Sequence, residues 1–166
     1  MNVSGRTFGD VVDAHQAEAL RYLRRLTGDA SEAEDLFQET FLRALPAFDR
    51  LRARSNHRAW IYRIATNVFL NDRRRHRRRS EVPLADEIAA PIGSPDRRHR
   101  ARVTWVACRR AIITLPPKQR AAFIQRKVLG LTYPQIADAM KCTEVAARAN
   151  VSQAVRRLRR LLVDTE

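Results

Sequence analysis

Apolar residues recur every three or four positions over most of the chain, which is the period of an amphipathic α-helix. The pattern predicts helices over residues 8–26, 32–45, 57–75, 117–129, 133–140 and 144–162. No run of alternating β-branched residues extends beyond three or four positions, and the 166 residues include only five glycines. We therefore expect an all-α protein.

Residues that typically begin or end helices lie at most of these boundaries. Gly28 follows the first helix and suits a left-handed C-terminal cap. Ser31 and Glu34 have the spacing of a capping box for the second helix. Pro46 is expected to end that helix, and Asn56 to cap the third.

The C-terminal third of the chain has the pattern of a helix-turn-helix. Thr132 and Gln135 form a second predicted capping box at the start of a short helix. A tight turn at Lys141 leads to Thr143, which can cap a long arginine-bearing helix. A short helix, a tight turn and a longer basic helix are typical of a DNA-reading module.

Between these helical stretches the composition changes. Residues 80–101 contain three prolines and a glycine, and their apolar residues show little periodicity. We interpret this segment as a flexible linker between two small helical domains, residues 1–79 and 102–166. Fully extended, it could span roughly 75 Å, enough for the two domains to contact separate sites on one DNA.

The charge indicates a polyanionic partner. There are 32 basic residues against 18 acidic ones, a formal net charge of +14, and only three of the basic residues are lysines. Such a balance is most often found in nucleic-acid-binding proteins. An arginine bias also arises from GC-rich coding sequence, but that bias does not explain the net charge.

Other classes of protein find little support in the residues. The two cysteines form no C-x-x-C motif and the four histidines are dispersed, so neither a metal site nor a cofactor is expected, and an enzyme such as a nuclease is disfavoured. The N-terminus lacks the apolar core of a signal peptide, and no apolar stretch approaches the length that spans a membrane. We expect a cytoplasmic protein.

Two predicted helices carry residues that a simple core does not require. The second has an acidic outer face, Glu34, Asp35 and Glu39, which is either a solvated face or a contact for a basic protein partner. The third places Trp60 and Asn67 away from its core stripe and runs into six arginines within residues 73–79. Aromatic residues such as Trp60 either close the core or stack on exposed bases. The arginine run either is solvated or contacts phosphates.

Three stretches resemble the bacterial sigma-70 family of RNA polymerase sigma factors. EAEDLFQETFLRAL and NHRAWIYRIATN are similar to the family's first main domain, and TLPPKQRAAFIQRKVLGLTYPQIADAM to its promoter-reading C-terminal domain. With only a linker between them, the chain resembles the compact extracytoplasmic-function (ECF) group. The resemblance implies binding to the β′ and β subunits of core RNA polymerase, recognition and opening of promoter DNA, and possible control by an anti-sigma factor.

The resemblance also implies functional residues. Those expected at the core polymerase are Asp35, Phe37, Gln38 and Glu39. Those expected at the minus-ten element, including its exposed single strand, are Trp60, Tyr62, Arg63, Asn67, Arg73 and Arg74. Those expected at the duplex minus-thirty-five element are Arg120, Arg148, Ala149, Ser152 and Gln153.

The recognition helix departs from the family's commonest pattern. Lys141 and Cys142 replace the usual Gly-Ile turn, and the run 145–150 reads VAARAN instead of G-T-V-K/R-S-R. Base preferences of better-known members therefore do not transfer. The alternative hypothesis is a stand-alone helix-turn-helix regulator, which would bind specific duplex DNA tightly without polymerase.

Overall fold

The protein is described here from a computed structural model, which covers residues 6–52, 55–79 and 97–163. Within these ranges the chain forms seven α-helices and no strand, so the all-α prediction is confirmed. The helices are α1 Phe8–Thr27, α2 Ala30–Phe48, α3 His57–Arg79, α4 Arg97–Thr114, α5 Pro117–Lys127, α6 Tyr133–Met140 and α7 Glu144–Val163.

Most of the predicted caps are confirmed. Gly28 adopts a left-handed conformation (φ 74°) and donates its backbone N–H to the Arg24 carbonyl. Asn56 Oδ1 accepts from the Ala59 backbone N–H at 3.0 Å. These side chains and conformations satisfy backbone groups that a helix end leaves unpaired.

The predicted caps of the C-terminal helices are also present. Thr132 and Gln135 form the reciprocal capping box of α6. Lys141 ends α6 in the left-handed region at φ 52°, as its position in the turn implies. Thr143 Oγ1 then accepts from the Ala146 N–H at 3.1 Å, which fixes the start of α7.

Two predictions about the ends of α2 were wrong. The N-cap is Asp29, whose carboxylate accepts from the Glu32 N–H at 2.8 Å, so Ser31 lies inside the helix. Pro46 does not end α2, which continues to Phe48. Phe48 is only 3% exposed, and its ring centroid lies 5.5 Å from that of Phe8. Burying such a side chain contributes about 1.5–3 kcal/mol, which offsets the hydrogen bond that proline cannot make.

The fourth helix overlaps the end of the predicted linker, whereas the third ends where the linker was predicted to begin. Helix α3 extends to Arg79, so the arginine run is helical. Helix α4 begins at Arg97, so residues 97–101 are helical and not linker. Residues 80–96 lie outside the described residues, and a linker there remains a prediction.

Helices α1–α3 (the N-terminal unit) and α4–α7 (the C-terminal unit) share one hydrophobic core. Its main cluster joins Tyr22 and Phe69 from the N-terminal unit with Ile124 and Ile136 from the C-terminal unit. Helix α6 packs along α3, and α5 contacts both α1 and α3. The helical period identifies an inward face but not the neighbour it will meet, so the sequence did not predict this packing.

A buried polar triad crosses the boundary between the units. The Tyr22 hydroxyl lies 2.9 Å from Thr66 Oγ1, and Gln125 Nε2 donates to both, at 2.8 and 2.9 Å. All three side chains are excluded from solvent. Burial raises the pKa of Tyr22 to about 12, because it penalises the phenolate. The triad fixes α1, α3 and α5 in one register.

Candidate functional site

The outer face of α2 is an exposed ridge that is polar at one end and apolar at the other. Asp35, Gln38, Leu42 and Leu45 follow one another at steps of three and four residues, and we call them the α2 ridge. Leu42 is 71% exposed and Leu45 is 53% exposed. Leu45, although apolar, therefore lies on the solvent-facing side of α2. Its spacing from Gln38 could have placed it on the polar side, because residues seven apart share a helix face.

The two other residues expected at the polymerase flank this ridge. Phe37 is half-buried, with its ring centroid 4.8 Å from that of Phe41. Glu39 forms ion pairs with Arg43 and, from α3, Arg75. Phe37 therefore borders the ridge on its half-buried side, and Glu39 links α2 to the basic end of α3.

The aromatic residues of α3 lie close to the core. Tyr62 is 3% exposed and makes an edge-to-face contact with Tyr22, with 5.1 Å between ring centroids. Trp60 is half-buried at 6.3 Å from the Phe48 ring. Tyr62 was expected at the minus-ten element, but in this arrangement it is not free to stack on a base. It is buried, like Ile61, on the inward side of α3. Burial also raises the pKa of Tyr62.

The polar face of α3 contacts α6. Asn67 Nδ2 donates to the Ala139 carbonyl at 3.2 Å and to the Arg63 carbonyl of its own helix at 2.6 Å. The Arg63 guanidinium forms an ion pair with Asp138 at 3.4 Å. Asn67 and Arg63, two of the residues expected at the minus-ten element, thus contact the C-terminal unit.

The arginines after this face differ in their surroundings. Arg73 is half-buried, pairs with Glu32, and lies over the Phe69 ring with 5.3 Å from guanidinium carbon to ring centroid. Burial lowers the pKa of Arg73. Arg74 and the arginines from Arg77 onward are exposed. Arg73 is therefore partly a structural residue, whereas Arg74 is open to solvent.

The second helix of the helix-turn-helix presents its expected reading face to solvent. Four residues on the first half of α7 are exposed: Arg148, Ala149, Ser152 and Gln153. The opposite side packs inward through Ala147, Val151 and Ala154. Amphipathic spacing alone indicated this division, because three core residues at steps of four and three define the buried stripe.

Neighbouring side chains orient the ends of this reading face. Arg148 pairs with Glu144 at 2.7 Å and lies over the Tyr133 ring, with 4.2 Å from guanidinium carbon to centroid. Gln153 Oε1 accepts from Gln119 Nε2 at 2.8 Å. These contacts limit the rotamers of two side chains that could read bases.

Arg120 is not available to a phosphate in this structure, which corrects the expectation drawn from its motif. It is 8% exposed and donates to the carbonyls of Leu26 at 2.6 Å, Leu115 at 3.0 Å and Ile113. Its guanidinium thereby fixes the end of α1 against the start of α5. Burial, together with the charge of Arg73, lowers the pKa of Arg120.

Sequence reasoning missed the residues that join the two units. Nothing in the local pattern distinguishes Tyr22 or Thr66 from ordinary helical positions. One signal was available for Gln125. It follows Ala121 and Ala122 by four and three residues, on a helix face where an apolar residue is expected. A polar residue among core positions indicates a buried hydrogen-bond partner.

Comparison with protein families matches both units. The model of Sigma-70 region 2 matches residues 11–79, and that of Sigma-70, region 4 matches residues 106–158. The ECF RNA polymerase sigma factor SigL of Mycobacterium tuberculosis is 34% identical over 89% of this chain and 84% of its own length. The chain belongs to the ECF RNA polymerase sigma factors.

Other relatives of this ECF sigma factor differ in length. SigG of Mycobacterium tuberculosis is 30% identical over 89% of the chain, but the chain spans only 46% of SigG. The sigma factor RpoE of Bartonella quintana, solved in complex with the anti-sigma factor NepR, superposes with a TM-score of 0.71 at 26% identity, covering 93% of this chain and 96% of RpoE. The packing of the two units thus has a close counterpart in a solved sigma factor.

In this ECF sigma factor the region 2 match spans most of α1 and all of α2 and α3, and the region 4 match ends within α7. The α2 ridge and the α3 face that contacts α6 lie within the region 2 match. The reading face of α7 lies within the region 4 match. None of the helices in the described ranges is long and apolar enough to cross a membrane.

Proposed function

We propose that this sigma factor binds core RNA polymerase, directs it to specific promoters and assists their opening, acting in the cytoplasm and without catalysing a reaction itself. The observation that carries the proposal is the exposed face of α7, with Arg148, Ala149, Ser152 and Gln153 on the second helix of a helix-turn-helix. The chain spans under half of SigG, so the activity and partners of this chain are a proposal and are not taken over from SigG.

The reading face has the chemistry of direct base recognition. Arginine can bind guanine bidentately, glutamine can bind adenine, and Ala149 offers a methyl contact to thymine. Serine donates or accepts at either kind of pair. We assign Arg148, Ala149, Ser152 and Gln153 to the minus-thirty-five element on this basis. Arg120, which is buried and occupied by three backbone carbonyls, is assigned to holding the units together.

The α2 ridge fits a protein partner better than DNA. Asp35 would be repelled by phosphates, and Leu42 and Leu45 offer an apolar surface that a nucleic-acid backbone cannot desolvate. Protein interfaces commonly combine a desolvated centre with a polar rim. We therefore assign the ridge, with Phe37 and Glu39 at its flank, to core polymerase, with basic residues of the partner facing Asp35.

Engagement of the minus-ten element requires α3 to separate from α6. Asn67 can then offer its amide to a base edge, and Arg63 its guanidinium to a phosphate, since α6 occupies both in the closed arrangement. Base stacking holds about 1.4 kcal/mol per step, and one aromatic stacking contact contributes about 1–3 kcal/mol. Trp60 is the aromatic we assign to such a contact. Tyr62 packs on Tyr22 within the N-terminal unit, and we assign it to the core.

Two further assignments complete the proposal. Arg74 is exposed and suits a phosphate, whereas Arg73, which is paired with Glu32, contributes to DNA binding only if that pair opens. RpoE was solved with an anti-sigma factor, and its likeness in packing supports control of this chain by a partner of that kind. Such a partner would act on the closed arrangement of the two units.

Reconstituted transcription tests the proposal. Purified protein and core polymerase are expected to start transcription at a defined set of promoters from a genomic library. The variant Arg148→Ala should lose or change use of those promoters, because α7 no longer reads one base pair, while Arg110→Ala, an exposed arginine on α4, should not. Absence of transcription from every promoter, together with tight sequence-specific duplex binding by the protein alone, would favour the stand-alone regulator.

A further inference from the structure

A basic cleft lies between the two units. Its volume is about 460 Å³, and it is lined by the C-terminal half of α3, the start of α5 and one residue of α7. The cationic residues at its wall are Arg73, Arg74 and Arg77 from α3 and Lys118 from α5. Pockets of this volume are typical of small-molecule sites.

The cleft has an excess of positive charge. Its described lining contains no carboxylate. The nearby Glu32 pairs with Arg73, and within the described ranges no carboxylate pairs with Arg74, Arg77 or Lys118. Like charges at a partly desolvated wall repel one another. Consistent with this, the pKa of Arg120 is lowered by burial and, in addition, by the charge of Arg73. A bound anion would relieve this repulsion.

Hydrogen-bonding groups at the cleft also lack partners. Helix α5 starts at Pro117 with no side-chain cap, and its N-terminal end, which carries the positive end of the helix dipole, lies in the lining of the cleft. Gln119, also in the lining, is 8% exposed, and one of its two side-chain amide atoms has no hydrogen-bond partner. Gln119 Nε2 donates to Gln153 Oε1, so the unpartnered atom is the oxygen, which is an acceptor, and the donors to an anion come from the cationic side chains and the start of α5.

We propose that the cleft binds a small anion with two or more phosphate groups, of the class of tripolyphosphate or a nucleoside triphosphate, which bridges α3 and α5. Arg74 and Arg77 hold one end and Lys118, with the first turn of α5, holds the other. More than one phosphate is needed because the cations come from both units. A DNA duplex is a convex rod and does not enter a concave cleft between helices.

Binding at this site stabilises the closed arrangement. Since the lining comes from both units, the anion binds only when they are packed together, and stability rises with ligand concentration as RT ln(1 + [L]/Kd). In the closed arrangement α6 accepts a hydrogen bond from Asn67 and forms an ion pair with Arg63. If the proposed function holds, the anion therefore opposes promoter engagement. The binding itself does not depend on that function.

Titration calorimetry on the full chain at physiological salt tests the site. Tripolyphosphate and ATP are expected to bind at one site per chain, and inorganic phosphate at least about tenfold more weakly, because one phosphate cannot reach both walls. Arg77→Gln on α3 and Lys118→Gln on α5 should each weaken tripolyphosphate binding about tenfold. Arg21→Gln, which removes the same charge from an exposed position on α1, should change it less than about twofold.

Three results would overturn the proposal. One is no saturable binding of tripolyphosphate or ATP below millimolar concentration. Another is an equal loss in Arg21→Gln, which would mean general attraction to a chain of net charge +14. The third is displacement of tripolyphosphate by a nonspecific duplex whose own binding shows the same dependence on Arg77 and Lys118, which would make the cleft part of a DNA-binding face. Thermal unfolding of each variant without ligand checks the fold, and the transcription assay without added anion tests the proposed function separately.

Discussion

Gln125 Nε2 donates a hydrogen bond to the Tyr22 hydroxyl at 2.8 Å, although the two residues are 103 positions apart. The bond joins α1 to α5 and, through Thr66, to α3. All three side chains are buried, so water cannot replace a lost partner. The closed arrangement therefore depends on groups that must be paired with one another.

Replacement of the triad's donor should destabilise the protein. We expect Gln125→Leu to lower the free energy of unfolding by about 1–3 kcal/mol, because Tyr22 and Thr66 lose a buried partner. Urea unfolding of Tyr22→Phe, Gln125→Leu and the double variant measures the coupling, expected at about 0.5–3 kcal/mol. Gln16→Leu, at an exposed position of α1, should change stability by about 0.5 kcal/mol or less. Additive effects of Tyr22→Phe and Gln125→Leu would contradict this account.

Stability should depend on the ionisation of Tyr22 at high pH. Burial raises the pKa of Tyr22 from 10.0 to about 12 in the folded state. Between these values the folded protein binds more protons than the unfolded chain, so the free energy of unfolding falls as pH rises, by at most about 1.4 kcal/mol per pH unit for one group. The stabilisation is complete below about pH 10 and is lost as pH rises through about 12.

The difference between wild type and Tyr22→Phe isolates this contribution. Unfolding in urea at several pH values from 8 to 12 is expected to show a steeper decline for the wild type above about pH 10, since the variant has no phenol at this position. Parallel profiles of the two proteins over that range would show that Tyr22 does not titrate as its burial implies.

Arg120→Lys should be strongly destabilising although it preserves the charge. A lysine ammonium cannot reach the three carbonyls that the planar guanidinium contacts, so at least one buried carbonyl is left unpaired. We expect a loss of about 2–3 kcal/mol in chemical unfolding. Arg110→Lys, at an exposed position, is the matched control and should be near neutral. If Arg120 instead contacts phosphate, Arg120→Lys would keep its stability and alter DNA affinity alone.

The α2 ridge should contribute to polymerase binding without contributing to stability. Leu42→Ala and Leu45→Ala remove exposed side chains, so unfolding should change by about 0.5 kcal/mol or less. Binding to core polymerase, measured by fluorescence anisotropy, should weaken at least about tenfold for the double variant, because truncation of a central apolar anchor typically costs 1 kcal/mol or more.

Val128→Ala is the control for this prediction, since Val128 is 45% exposed but caps the C-terminal end of α5 and is not part of the ridge. Equal polymerase affinity of wild type and the Leu42/Leu45 double variant would place the contact elsewhere. A large loss of stability would instead mean that the two leucines are packed in solution.

Local sequence signals identified most helix boundaries but failed where packing competes with them. Gly28 and Thr132 were predicted correctly, because a left-handed cap and a capping box need only residues within one turn. Pro46 was predicted to end α2. The helix instead continues beyond Pro46 to Phe48, because Phe48 is buried in the core of the N-terminal unit. The sequence left open whether Tyr62 packs in the core or contacts a base, since its partner Tyr22 lies on another helix.

The sequence by itself determined the helical character, the helix-turn-helix and the exposed reading face of α7, because periodicity, caps and charge act over a few residues. It also carried the motifs of the ECF sigma factors. Only the tertiary structure decided that the two units share a core, that Arg120 is buried between them, and that Asn67 donates a hydrogen bond to α6. Those contacts join positions tens of residues apart, and a helix's apolar stripe does not encode which surface will bury it.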